Sequence, residues 1–246
     1  MNIIPAIDLR DGQCVRLFQG DFDRQTNYAQ DPVALAHQYE TMAFDALHIV
    51  DLDGARSGQQ QNQNVIRRIV ESSKLTVQLG GGLRTDSQVD TWLSSGLARV
   101  VIGSLAVTEP NRVRDWLGFF GPERIVLALD VNVDSSGVPR LATHGWQQTE
   151  EMTLWQCIDD YKTAGIKHLL CTDISRDGAM TGPNLGLYTE IIDKYPDICL
   201  QASGGVRDIN DLKALREIGA PAAITGRALL DGKITTQEVE TFPPAA

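Results

Sequence analysis

Cysteine and histidine are scarce, four of each in 246 residues. Cys14, Cys157, Cys171 and Cys199 stand far apart, without the CxxC pairing of a zinc or redox site or the density of a disulfide scaffold. They read as reduced thiols in apolar positions. His37, His48, His144 and His168 have no carboxylate or cysteine at ligand spacing, which leaves them as core or surface side chains. Positive charge is also short. Lys and Arg number 22 against 32 Asp and Glu, a net charge of −10, which argues against a non-specific grip on nucleic acid or an anionic membrane. No run of about 18 apolar residues occurs. The start, Met1 to Asp8, lacks the basic region and apolar length of a signal peptide, so a cytoplasmic protein is expected. No Gly/Ser-rich linker divides the chain, and no extra apolar segment suggests an interface, so a monomer is expected.

What remains is ordinary globular composition, 42% hydrophobic and 22% charged, with a strong internal order. Eight short apolar or β-branched runs end in a polar residue or glycine. They lie at 3–8, 47–51, 76–79, 99–102, 125–130, 168–173, 198–202 and 222–225. Helix signals fill the gaps: Asp31-Pro32 at a start, Asp86 and Asp208 as N-caps, Pro110 near another start, Gly96 and Gly219 as stops. The chain also repeats itself. Asp8 to Asp51 spans 43 residues, as does Asp130 to Asp173, and Gly81 to Gly103 spans 22, as does Gly204 to Gly226. An offset of 122 to 123 sets Gly81-Gly82-Leu83-Arg84 on Gly204-Gly205-Val206-Arg207. That period is too long for a solenoid. Two independent half-domains are one solution. A single (β/α)8 TIM barrel over 1–246, built from duplicated half-barrels of about 1–122 and 123–246, is the simpler one.

In such a barrel the chemistry sits at the C-terminal strand ends and in the loops that follow. Asp8 and Asp130 end the first and fifth strands, opposite each other in a ring of eight. The pair can divide acid and base work if their surroundings differ; either alone could be an N-cap or a loop anchor. Asp51 and Asp173, with Asp53 and Asp177 close behind, orient loops or hold Mg²⁺, though no histidine joins them. Gly81-Gly82 with Gly103-Ser104, and Ser203-Gly204-Gly205 with Gly226-Arg227, put side-chain-free backbone beside a helix start. A lone Gly-Gly is a turn; two matched copies point to two anion sites. The ligand would then carry a phosphate at each end.

The segments Ile4-Pro5-Ala6-Ile7-Asp8-Leu9, Val15-Arg16-Leu17 with Gly20-Asp21, and Val50-Asp51-Leu52-Asp53-Gly54-Ala55 resemble a known family. So do Gly80-Gly81-Gly82-Leu83-Arg84, Thr172-Asp173-Ile174-Ser175-Arg176-Asp177-Gly178 and Ser203-Gly204-Gly205-Val206. Over nearly the whole chain they are similar to the phosphoribosylformimino-aminoimidazole carboxamide ribotide isomerases of histidine biosynthesis. The resemblance implies an Amadori rearrangement of an aminoaldose to an aminoketose, on a bisphosphorylated aminoimidazole ribonucleotide, without cofactor or metal. It implies that Asp8 accepts and Asp130 donates a proton, that Thr172 bonds near the reacting atoms, and that Asp177 and Gly178 open a loop that closes over one phosphate. Gly20 belongs to the same binding set. Arg16, Arg84 and Trp146 are candidates for the aminoimidazole end, or are salt-bridge partners and loop anchors.

The related ammonia-using cyclase subunit, which takes the next step with a glutaminase partner, is the alternative. It would carry a cysteine where Ala6-Ile7-Asp8 stands, Asn-Ser for Thr172-Asp173, and Gly-Gly-Arg for His144-Gly145-Trp146. Dual action on phosphoribosylanthranilate is a further expectation left open, as is a barrel that binds a phosphorylated metabolite without turnover.

Overall fold

A computed structural model describes residues 1–242. Eight parallel strands close into a barrel: β1 (Asn2–Arg10), β2 (Ala46–Asp51), β3 (Thr76–Gly80), β4 (Arg99–Ile102), β5 (Ile125–Val133), β6 (His168–Asp173), β7 (Cys199–Ser203) and β8 (Ala222–Thr225). Each pairs with its sequence neighbour, and β8 closes on β1 through Asn2↔Ala222 to Pro5↔Thr225. Every expected apolar run is one of these strands.

Side-chain alternation sorts the core into two. Ile3, Ile7 and Leu9 of β1 face the helices, whereas Ile4 and Ala6 join Ala46, Val101, Val126, Leu170, Ala222 and Ile224 inside the barrel. Asp8 shares the parity of Ile4 and Ala6, and Asp130 that of Val126 and Ala128, so both carboxylates face inward. At mid-barrel the opposite strands β3 and β7 are joined by Gln78 and Gln201. Their side-chain amides exchange hydrogen bonds of 2.7 and 3.1 Å, with His48 Nδ1 at 3.0 Å from Gln78 Nε2. Burial drives the pKa of His48 down to about 3, so this layer is neutral.

Two expectations need correction. β1 and β5 do not end at Asp8 and Asp130. They run on to Arg10 and Val133 and turn into antiparallel ribbons, Gln13–Phe18 with Asp21–Asn27 after β1 and Pro139–Thr143 with Gln148–Thr153 after β5. The first and fifth loops are therefore built structures that stand over the mouth. Asp86 is not an N-cap. Thr85 caps Asp86–Ser94 in a capping box with Gln88, and Asp86 accepts from Trp116 Nε1 at 2.6 Å. Asp31, Asp208 and Pro110 take the expected helix-start positions, and Gly96 and Gly219 adopt positive φ just past helix ends. Among the described residues no helix is long and apolar enough to cross a membrane.

Candidate active site

The barrel places Asp8 and Asp130 on strands four apart in the ring, and their surroundings differ. Asp8 is buried and accepts from Arg16 Nη1 at 2.8 Å; Arg16 Nη2 reaches Asp177 at 3.0 Å. Burial raises the Asp8 pKa first, and Asp177 adds to this, while Arg16 works against both. Asp130 keeps an edge open to the mouth, yet its carboxyl lies below the rim, where withdrawal from bulk water raises its pKa. Its partners are neutral. Trp146 donates its indole N–H at 2.8 Å, and Thr172, its register partner on β6, adds a hydroxyl. One carboxyl thus has a cation beside it and the other has none. Burial opposes the charge of Arg16, but Asp8 and Asp177 outweigh it and keep the guanidinium protonated.

The first, fifth and sixth loops assemble this rim. Trp146 lies on Gly20, where a Cβ would overlap the indole, and so bridges the two ribbons. The backbone there is in the left-handed region, at φ 55° for His144 and 70° for Trp146. The His144 N–H donates to Ser104 Oγ at 3.1 Å. Gly178 packs under Leu17, with a Cβ position 2.7 Å from the Leu17 carbonyl oxygen. Arg16 lies along Gly226, and its Nε is a buried donor with no acceptor among the described residues.

The glycine turns have a steric cause. Gly81, Gly82, Gly204 and Gly205 all have positive φ, at 100°, 75°, 97° and 85°. A Cβ on Gly81 would overlap the Asp51 carbonyl, one on Gly82 the Gly54 carbonyl, and one on Gly205 the Gly182 carbonyl. Each turn is pressed against the preceding loop, where the Gly81 carbonyl accepts from Gln60 Nε2 and the Gly205 carbonyl from the Gly182 N–H, both at 2.9 Å. Among the described residues no backbone hydrogen bond takes up the N–H groups of these four glycines. The helices beside them, Ser104–Thr108 and Arg227–Leu230, are short. Their offer to an anion is first-turn N–H groups rather than a long dipole.

Asp51 and Asp173 are buried supports for these loops. Asp51 accepts from the backbone of Gly54, Gln61 and Asn62 and from the Asn62 side chain at 2.6 Å; Asp173 accepts from Ser175 and from the Asn184 side chain at 2.7 Å. Asn62 and Asn184, each eleven residues past its aspartate, were not singled out from sequence, although the matched spacing was there to be seen. Asp53 is engaged with the Asp11 N–H at 2.7 Å. Among the described residues no group of three or more metal-ligating side chains could hold an ion. Arg84 is exposed, donates to the Ala55 carbonyl at 3.2 Å and lies over Gly58, on the loop after β2 rather than beside Asp8 or Asp130. Arg227 bonds Asp231 and the Gly178 carbonyl. His48 and His168 are buried; His37 and His144 are exposed.

A family profile described as "Histidine biosynthesis protein" matches residues 2–235. A protein of Alteromonas mediterranea is 48% identical over 96% of both chains, and one of Vibrio cholerae 45% over 96% of both. A third, from Photobacterium profundum, is 45% identical over 96% of this chain and 97% of its own. All three are named 1-(5-phosphoribosyl)-5-((5-phosphoribosylamino)methylideneamino) imidazole-4-carboxamide isomerase. With nearly every residue of the barrel inside the matched range, the chain belongs to the histidine biosynthesis protein family.

Proposed function

We propose that this chain catalyses the isomerisation for which its relatives are named, converting the aminoaldose end of a bisphosphorylated aminoimidazole ribonucleotide to an aminoketose. The observation that carries this is the pair of inward carboxyls with unlike partners, together with two matched glycine turns whose N–H groups have no backbone partner among the described residues. Asp130, raised by burial and without a cation, is the better proton holder and protonates the ribose ring oxygen as the C1–O bond opens to an iminium. Asp8, kept nearer its ionised form by Arg16, removes the C2 proton, and the electron pair forms the enolamine. Asp8 returns its proton at C1 and the C2 hydroxyl proton is lost to water, which gives the ketose, so no atom is gained or lost and no cofactor is required. Thr172 holds Asp130. The indole of Trp146 occupies Asp130 and must swing aside before the ring oxygen can approach.

The phosphates fit the two turns, Gly81-Gly82 with Gly103-Ser104 and Ser203-Gly204-Gly205 with Gly226-Arg227. The match between turns supports the duplicated half-barrel as the origin of a two-ended site. Arg16, through its free Nε, and Asp177 with Gly178 line the second end. Arg84 anchors the loop beside the first. We also assign the reaction to the cytoplasm, in keeping with four free cysteines.

The ammonia-using cyclisation is the weaker reading, because the relatives are named for the isomerisation. The test is an assay of purified protein on the aminoaldose, with and without ammonia. A product of unchanged mass, formed at the same rate in both arms, is expected. A product that appears only with ammonia would replace this reading with the cyclase.

A further inference from the structure

One junction on the rim joins three segments distant in sequence. Asp231, just past the Arg227–Leu230 helix, accepts from the Tyr28 hydroxyl at 2.8 Å on one oxygen and from Arg227 Nε at 3.1 Å on the other. Arg227 Nη1 donates to the Gly178 carbonyl of the sixth loop at 2.7 Å. Tyr28 forms the tail of the first loop, where its N–H donates to the Cys14 carbonyl and its ring packs on the core. The two loops also meet directly, Gln19 N–H on the Asp177 carbonyl at 3.1 Å and the Gln19 side chain on the Ser175 carbonyl at 2.7 Å.

The two glycine turns differ in cover. Gly204 and Gly205 are buried, with Gly182 N–H bonded to the Gly205 carbonyl at 2.9 Å, whereas Gly81 and Gly82 are only half-buried. The repeat that sets Gly226 on Gly103 sets Arg227 on Ser104, so the side with the buried turn is also the side with the arginine.

We propose that Tyr28 and Asp231 are positioning residues that hold Arg227 on Gly178, so that the first and sixth loops close as one unit over the phosphate at the Gly204–Gly205 turn. An exposed ion pair alone contributes little. Here Asp231 fixes one edge of a planar guanidinium, which leaves another edge pre-set for a carbonyl. Tyr28 in turn keeps Asp231 from rotating away. Burial, with Asp231 beside it, pushes the phenol up to about 12, so it donates throughout the neutral range.

The assignment of the ligand's phosphate rests on the isomerase reading, and the test separates the two. Tyr28→Phe should raise KM for the bisphosphate about two- to tenfold with kcat held, the loss of one hydrogen bond. It should also speed tryptic cleavage after Arg176 in the sixth loop, with inorganic phosphate slowing cleavage more in wild type than in the variant. Asp231→Asn should reproduce both effects, and the double variant should exceed neither single one, because the residues act in series. Unchanged KM and unchanged cleavage in Tyr28→Phe, or additive effects in the double variant, would overturn the proposal. A wild type inactive on the bisphosphate but showing the cleavage pattern would overturn the isomerase reading alone.

Discussion

Asp130→Asn is expected to lose turnover by about two to four orders of magnitude and, at pH values above the folded-state pKa of Asp130, to melt at a higher temperature than the wild type. The loss follows from removing the proton that opens the ring. The gain follows from burial. The folded protein raises the Asp130 pKa above 3.8, so its contribution to stability is full below that value and is lost as pH rises through the folded-state pKa. Above that folded-state pKa the fold carries an ionised carboxylate with no cation beside it, whereas below it Asp130 keeps the proton it donates. Asparagine cannot ionise, yet its side-chain oxygen still accepts from Trp146. Melting curves of the two proteins should converge as pH falls toward 3.8.

Asp8→Asn should lose turnover to a similar degree without that gain, because it leaves the buried Arg16 with Asp177 as its one carboxylate. The two variants together separate a chemical from a structural cause. Wild-type rates in either would remove that residue from proton transfer.

Gly81→Ala should lower stability far more than Gly204→Ala, although the two glycines occupy equivalent places in the repeat. Both have positive φ, which costs a residue with a side chain about 1–3 kcal/mol. Beyond that, the Gly81 methyl would overlap the Asp51 carbonyl, buried backbone that cannot yield cheaply. The Gly204 methyl would sit 3.1 Å from the Asp173 carbonyl, which needs a shift of a few tenths of an ångström. At about 2–4 °C per kcal/mol for a chain of this size, Gly81→Ala should melt roughly 5–10 °C lower, and Gly204→Ala by less. Both should raise KM, since each turn must move to admit the methyl. Thermal melts and substrate titrations check this; equal losses of stability would mean that close approach of the loops does not hold the turns in place.

The strands were legible because a parallel barrel buries each strand on both faces, which leaves uninterrupted apolar runs such as Ile125 to Leu129. The aspartates were legible because polar residues stand out at the ends of such runs. The ribbons after Asp8 and Asp130 were not. Asp21–Asn27 and Gln148–Thr153 are polar and mostly solvent-facing, so no hydrophobic period marks them; their clues were the turns at Gln19-Gly20 and at 134–137. The acidic residues beside the site were ambiguous for a different reason. Asp51, Asp173 and Asp177 are alike in sequence, but two support loops from beneath and one pairs with Arg16, a distinction made only by folding. Tyr28 and Asp231 lie 203 positions apart in surface segments, where no local pattern could join them.

The division of labour between the carboxyls is tested most directly by hydrogen exchange on the aminoketose product in D2O. Returning from the ketose, enolisation at C1 needs the carbon base but not the acid that serves the ring oxygen. Wild type and Asp130→Asn should therefore introduce deuterium at C1, and Asp8→Asn should not. Exchange that persists in Asp8→Asn, or that vanishes equally in both variants, would contradict the assignment of Asp8 as base and Asp130 as acid.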